Sequence, residues 1–435
     1  MSEILEAIYD GRRVGRLTYS DDRLTFAYDD EWRGDPEAFP LSLSMPLVRP
    51  EYPDEVTRPF ISGLLPDDAE VLRRWGQKFQ VSPRNPFRLL AHVGEECAGA
   101  VQFVPLERAS QWLGDSPPEG IDWLNDGELI ERIADLIQDR SVARRLGDEG
   151  HFSLAGAQAK TALYRDPDGG RWGIPKGTTP TTHIIKPNRG EFAAFEINEH
   201  FCLRLAAQLG LKTAHSWTET IGKTPVLIIE RYDRARIDGR LVRIHQEDTC
   251  QSLSRSPENK YQNEGGPSAK EIFTLIRDHS SQPLEDEGRF LDTMIFNSLI
   301  GGTDAHAKNF SLLIAGRGQV RLAPCYDLIS ILPYAHELRK VKLAMKIGGD
   351  YLLWKIGRDH WKKAAEEWNL DPDRVFDHII RMASAMPEAV RETGETMAYP
   401  AKSEREWLHK LMTAILERSE DCLRQIKSVS KEDRP

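Results

Sequence analysis

Asp304, Asn309 and Asp327 have the residue types and order that a phosphoryl transfer needs. They lie in Gly301-Gly302-Thr303-Asp304-Ala305-His306-Ala307-Lys308-Asn309 and in Tyr326-Asp327-Leu328, with a short apolar run from Phe310 to Ile314 between them. One carboxylate can orient and deprotonate a hydroxyl, while two further oxygen ligands hold Mg²⁺ against the phosphates of ATP. Asp and Asn are common loop residues, so the pair alone is a weak signal. Its weight comes from the segments that precede it.

The step from Asp304 to Asn309 equals the Asp-to-Asn step of the protein-kinase catalytic loop, although the His-Arg before the Asp is missing. Upstream, Ser153-Leu154-Ala155-Gly156-Ala157-Gln158-Ala159-Lys160 is a small-residue loop running into an apolar strand. Small residues let backbone N–H groups approach phosphate oxygens, so Ala155 to Gln158 are expected to cover phosphate, without matching a Walker A or kinase Gly-rich sequence. His183-Ile184-Ile185-Lys186-Pro187 is an apolar run with one Lys. A buried Lys needs a partner, and ATP phosphate plus a helix Glu is the kinase pairing. Glu196 and Glu199, on the helical segment from Phe192 to Leu209, can supply it; an edge strand with Lys186 facing water is the alternative. Thr224 to Arg234 then reads as a buried strand turning polar at its end, where a kinase-like chain joins its lobes and meets adenine.

This order of parts resembles the HipA-like serine/threonine kinases, the toxin half of bacterial toxin–antitoxin pairs. The matching stretches are Leu64-Leu65-Pro66-Asp67, Ser153 to Leu163, Ile174 through Lys186, Glu230 to Arg234, Gln246 to Gln251, Thr303 to Asn309, and Tyr326-Asp327. The resemblance implies a catalytic base at Asp304, Mg²⁺ on Asn309 and Asp327, and ATP phosphate on Lys186. It implies adenine against the backbone of Glu230 and Tyr232, with His306 and Lys308 also assigned to ATP. Ser153 aligns with the serine that such kinases autophosphorylate to switch themselves off. The implied partners are a HipB-like helix-turn-helix antitoxin, which brings the complex to DNA, and a translation component such as an aminoacyl-tRNA synthetase as substrate. The C-terminal parts match loosely, and no residue role is carried over there.

Composition sets bounds. The chain has 435 residues, 40% of them hydrophobic, ample for two or three packed cores. It has no run of 18 apolar residues, and Met1-Ser2-Glu3-Ile4 leads straight into a strand-like segment, as expected without a signal peptide. Five scattered cysteines, Cys97, Cys202, Cys250, Cys325 and Cys422, contain no Cys-x-x-Cys pair, which favours free thiols in a reducing cytoplasm. Cys325 is read as a small buried filler. With 58 basic and 68 acidic residues the net charge is −10, so the whole chain repels nucleic acid. Arg231, Arg234, Arg236, Arg240 and Arg243 are a local exception; they line the solvated face of a hairpin turning at Asp238-Gly239, or else contact DNA or an acidic protein. The twelve His residues show no ligand spacing.

The elements that must position the site follow from periodicity. Arg13 to Tyr19 and Arg23 to Tyr28 read as a hairpin across Asp21-Asp22. Phe60 to Arg74 and Pro86 to His92 read as helices, Gly99 to Val104 as a strand, and Trp112 to Gly120 as a linker. Leu253 to Pro267 is a polar loop, and Leu291, Ile295 and Leu299 form a core stripe on the helix that delivers the catalytic loop. Asp371-Pro372 predicts a helix start, and Ser403 with Glu406 a capping box.

The expected fold is α+β, two-lobed and protein-kinase-like. It comprises an N-terminal subdomain over 1–110, a linker over 111–125 and an N-lobe over 126–250. An inter-lobe loop over 251–268, a helical C-lobe over 269–427 and a frayed tail over 428–435 complete it. Two rival readings stand beside a protein kinase. One is a small-molecule or lipid kinase on the same scaffold, since the His-Arg-Asp and Asp-Phe-Gly signatures are absent. The other is a catalytically silent co-repressor bound to a DNA-binding antitoxin.

Overall fold

The computed structural model describes residues 2–114, 117–138, 158–188, 190, 192–397, 399 and 401–428. The chain forms two compact units, one of residues 1–187, 219–259 and 311–321, the other of 188–218, 260–310 and 322–435. Ser153, Ala155, Gly156 and Ala157, expected to form the phosphate loop, lie outside the described residues.

In the first unit, β1 (Glu3–Tyr9), β2 (Arg12–Ser20), β3 (Arg23–Tyr28), β4 (Glu51–Tyr52) and β5 (Gln102–Pro105) make a sheet of order β4-β3-β2-β1-β5. Asp21 and Asp22, at φ 51° and 59°, take the left-handed conformation that a two-residue hairpin requires. Leu24, Phe26 and Tyr28 alternate inward along β3. Helices α1 (Asp30–Gly34), α2 (Asp54–Gly63), α3 (Ala69–Phe79) and α4 (Pro86–Val93) accompany the sheet. The single helix read over Phe60 to Arg74 is two helices, because Pro66 interrupts the run and the Asp68 carboxylate caps α3 through Glu70 N and Val71 N.

A second sheet runs β10-β11-β9-β7-β8-β6. Its strands are β6 (Glu119–Trp123), β7 (Thr161–Arg165), β8 (Trp172–Gly177), β9 (His183–Pro187), β10 (Ser216–Ile221) and β11 (Thr224–Glu230), with α5 (Asp126–Gln138) following β6. The segment read as a linker is therefore structured at both ends. Trp112 is buried with Ile8, Val104 and Ala109, and β6 pairs along β8. Linker composition missed this, since Ile8 in β1 and the β8 partner of β6 are remote in sequence.

The hairpin β12 (Arg234–Ile237) and β13 (Arg240–Arg243) turns at Asp238 and Gly239, both at positive φ. Three of the five arginines turn inward instead of lining a solvated face. Arg231 and Arg234 are buried and Arg243 half-buried, and all three converge on Glu96, Arg231 Nη1 at 3.0 Å and Arg234 Nη2 at 2.7 Å from Oε1, with Arg243 on Oε2. These cations hold the Glu96 carboxyl well below its usual range although burial opposes ionisation. Asp233 adds a second buried carboxylate 2.7 Å from Arg231. Of the five, Arg236 and Arg240 are exposed, and Arg240 pairs with Asp10. A third sheet, β14-β15-β16, joins β14 (His245–Asp248) to β15 (Ser311–Ala315) and β16 (Gln319–Leu322). The short α7 (Thr249–Ser252) is capped by reciprocal Asp248 and Gln251 bonds.

The second unit is mostly helical, with α6 (Phe195–Gln208), α8 (Ala269–His279), α9 (Pro283–Ile300), α10 (Arg358–Glu367), α11 (Pro372–Glu395) and α12 (Lys402–Lys427). The ribbon β17 (Lys342–Ile347) and β18 (Asp350–Leu352) precedes α10. The stripe of Leu291, Ile295 and Leu299 is buried, but so is every residue from Thr293 to Ile300, so this end of α9 is covered on all sides. Asp371 caps α11 through Asp373 N at 3.1 Å. The capping box at Ser403 and Glu406 is not formed. The helix α12 begins two positions earlier, and Glu404 accepts from Ala401 N at 3.1 Å.

Candidate active site

The second unit brings Asp304, Asn309 and Asp327 onto two loops tied to each other. Helix α9 ends at Gly301, whose φ of 66° is the left-handed stop that favours glycine. A Cβ on Gly302 would lie 2.1 Å from Asn297 Oδ1, so a larger residue here would have to displace the Asn297 side chain. The chain then turns through Asp304 and closes one 3₁₀ turn over Ala307–Asn309. Phe310 anchors the far end of this turn edge-on against Phe290 of α9, with ring centroids 4.9 Å apart.

Asn309 Nδ2 donates to the backbone carbonyl of Asp304 at 2.7 Å. A carbonyl only accepts, so the amide nitrogen must face it and Oδ1 points elsewhere, available as a hard oxygen ligand. The Asp304 side chain is 56% exposed, and its Oδ1 accepts from the Tyr261 hydroxyl, with His306 Nε2 at 4.0 Å from the same oxygen. His306 and Lys308 are buried, and the Lys308 carbonyl accepts from Tyr326 Oη at 2.6 Å, which ties the Asp304 loop to the residue before Asp327.

Asp327 itself is half-buried and sits at φ 56°, a conformation that Asp tolerates better than most residues. Both flanks of its loop are clamped. On one side the buried Asp286 carboxylate of α9 accepts from Leu322 N at 2.9 Å, and Arg289 donates to the carbonyls of Leu322 and Ala323 at 2.7 and 3.0 Å. Cys325 is held by backbone bonds to Lys212 and Ala214 at 2.8 and 2.9 Å, and its thiol lies 3.2 Å from Thr293 Oγ1. On the other side the fully buried Asn198 of α6 reads the Ser330 backbone twice, donating to its oxygen at 2.8 Å and accepting from its nitrogen at 3.0 Å. A carboxylate and an amide oxygen on such loops suit Mg²⁺, whose remaining ligands are commonly phosphate and water oxygens.

The first unit holds Gln158, Lys186, Glu230 and Tyr232. Strand β9 lies between β7 and β11, with Lys186 opposite Leu227, and Lys186 is 5% exposed. The edge-strand alternative is thereby excluded. Glu230 ends β11 with its side chain exposed; Tyr232 is half-buried and its hydroxyl donates to Gln246 Oε1. Gln158 is half-buried ahead of β7. Glu196 and Glu199 belong to the second unit; both are buried, and Glu196 accepts from Asn188 Nδ2 at 2.5 Å, with burial raising its pKa. Reading the sequence missed Tyr261, Asn198, Asp286 and Arg289. Only Tyr261 carried a signal, as the aromatic residue of an otherwise polar loop just before the helices of the catalytic unit.

These parts define a protein-kinase-like phosphotransferase of α+β architecture. The chain matches the family model described as the HipA-like C-terminal domain over residues 152–390, and that of the HipA N-terminal domain over 5–104. The chain belongs to the HipA family of kinases. It is 38% identical over 392 residues to a putative kinase, Y4mE, of Sinorhizobium fredii, covering 89% of this chain and 91% of that one. It is 28% identical over 427 residues to the serine/threonine-protein kinase toxin HipA of Shewanella oneidensis, covering 94% of each. A solved structure of Shewanella oneidensis HipA with HipB and operator DNA superposes with a TM-score of 0.82 at 26% identity, over 98% of this chain and 100% of that one.

Proposed function

We propose that the chain is the toxin of a toxin–antitoxin pair and transfers the γ-phosphate of ATP to a Ser or Thr hydroxyl of a protein. The observation that carries this reading is the Asn309–Asp304 bond. It leaves one amide oxygen for a metal and one exposed carboxylate for a hydroxyl on the same six-residue turn. Asn309 Oδ1 and the Asp327 carboxylate would hold Mg²⁺, which when bound neutralises phosphate charge. Asp304 orients the acceptor hydroxyl and takes its proton as that oxygen bonds to the γ-phosphorus. The bond to the bridging oxygen breaks, and ADP leaves with the electron pair.

Lys186, on a central buried strand, suits the ATP phosphates, and the end of β11 at Glu230 to Tyr232 suits adenine. His306 and Lys308 are assigned to the same nucleotide, Glu199 to the partnership with Lys186, and Gln158 with Ala155, Gly156 and Ala157 to the phosphate loop. The neighbour solved with HipB and operator DNA supports a HipB-like helix-turn-helix partner through which DNA is reached. A translation component of the aminoacyl-tRNA synthetase class is the proposed substrate, and Ser153 the site of self-modification, in the cytoplasm.

The test is incubation with γ-labelled ATP and Mg²⁺ beside Asp304→Asn, with intact mass recorded beforehand and the label located by mass spectrometry. Losing a general base costs ~10²–10⁴-fold in rate, and that loss is expected of the variant. Label on Ser153 in the parent alone would support self-modification. Parent protein that starts unmodified and neither takes up label nor consumes ATP would leave a binding protein as the better description.

A further inference from the structure

The Tyr261 hydroxyl donates its hydrogen bond to Oδ1 of Asp304, across forty-three positions of sequence and within one compact unit. Its place is set by several independent contacts. The Tyr261 ring stands edge-on to His306, with centroids 5.0 Å apart and planes at 85°. The carbonyl of Lys260 accepts from Ala307 N at 3.3 Å, inside the catalytic turn itself. The carbonyl of Tyr261 accepts from the amides of Glu264 and Gly266, each at 3.0 Å, and Gln262 Oε1 accepts from Lys346 N at 2.8 Å. Gly265, at φ 90°, makes the tight return that these bonds need.

A carboxylate rotates about a broad, two-fold torsion, and an exposed one samples many orientations. Among the described residues the Tyr261 hydroxyl donates to Asp304 Oδ1, and His306 Nε2 lies on the side of the same oxygen at 4.0 Å. Fixing that oxygen fixes the carboxylate plane and leaves Oδ2 as the atom that meets an acceptor hydroxyl. A phenol suits this task because it donates to the carboxylate from a rigid ring, with two torsions to lock.

We infer that Tyr261 is a positioning residue for phosphoryl transfer: its hydroxyl holds Asp304 Oδ1 so that Oδ2 faces the acceptor. The inference rests on Asp304 being the base. It assigns to the polar segment from Leu253 to Pro267 a part in building the site as well as connecting the units.

The experiment measures ATP consumption plus protein labelling at varied ATP with Mg²⁺, using the full chain, Tyr261→Phe, Tyr261→Ala and Asp304→Asn. Melting curves establish that each variant is folded. Tyr261→Phe keeps the ring against His306 and removes only the hydroxyl. A misaimed reacting group costs on the order of tenfold to a hundredfold, so kcat should fall by that much with the KM for ATP unchanged. Tyr261→Ala should be no better than Phe. A Phe variant with the parent's kcat would overturn the inference and assign Tyr261 to packing. A loss confined to the KM for ATP would also overturn it, by placing the hydroxyl in nucleotide binding. Turnover retained by Asp304→Asn, or absent from the parent, would remove the base itself and the inference with it. An inactive Asp304→Asn beside an unimpaired Tyr261→Phe would remove the inference alone.

Discussion

Asp304 and Glu247 are both carboxylates in opposite surroundings. Asp304 stands half in solvent. Glu247 is 1% exposed, and its Oε1 accepts from Leu43 N and Ser252 Oγ, each at 2.9 Å. Its Oε2 has no hydrogen-bond partner among the described residues. Burial dominates, pushing the Glu247 carboxyl up to about 7 against the hydrogen-bonding groups of Ser42, Leu43 and Ser252, which favour the anion. The sign follows from proton binding. Between the ordinary carboxylate range and pH 7 the folded chain holds a proton on Glu247 that the unfolded chain has lost. Stability from this group is therefore full below about pH 4 and is lost as pH rises through 7, by up to roughly 3 kcal/mol. Glu247→Gln keeps the shape and cannot ionise. Thermal melts from pH 5 to 8 should show the parent losing stability relative to this variant as pH rises. Parallel curves would mean that Glu247 stays ionised throughout.

Among the elements, α6 and α9 act on the site through its backbone. Asn198 reads both polar atoms of Ser330, three residues past Asp327, and Asp286 with Arg289 holds the strand end before it. Asn198→Ala leaves a buried N–H and C=O unsatisfied, a cost of ~1–3 kcal/mol. If a third of that appears as misplacement of Asp327, turnover falls several-fold, and on the order of tenfold if most of it does. Steady-state rates at saturating Mg²⁺ and at low Mg²⁺ should diverge, with the variant more impaired at low Mg²⁺. Equal impairment at both would detach Asn198 from the metal side of the site. None of these clamps could be read in the sequence, because each joins residues tens to more than a hundred positions apart. What was legible is local: the Asp304-to-Asn309 turn, the hairpins at Asp21-Asp22 and Asp238-Gly239, and the cap at Asp371. Ser403 shows the limit of even local reading. Both Glu404 and Glu406 follow it, and the packing of α12 decides which one faces the free amide of the first turn. The arginine cluster shows the limit from the other side, since nothing near Arg231 announces that Glu96 lies beneath it.

At the scale of the whole molecule, charge separates what the chain does alone from what it does in company. The net charge is −10, and the arginine cluster from Arg231 to Arg243 is largely spent inside the first unit. Arg231, Arg234 and Arg243 are turned to Glu96 and Asp233, and Arg240 is paired with Asp10. Electrostatic affinity for DNA scales with the number of phosphates that free Lys and Arg can neutralise, and each contributes to a linear fall of log affinity with log salt. An acidic chain with its arginine cluster buried offers few such contacts on the hairpin. The isolated protein should therefore show no DNA binding at physiological salt, measured as fluorescence anisotropy of a labelled operator-like duplex. Addition of the proposed HipB-like helix-turn-helix partner should create binding whose salt slope matches that partner's own. A slope steeper by several units would mean that this chain adds phosphate contacts of its own, from cations outside the buried cluster. Arg236 and Arg240 can be excluded or implicated by Arg236→Gln and Arg240→Gln, since each lost phosphate contact reduces the slope by about one.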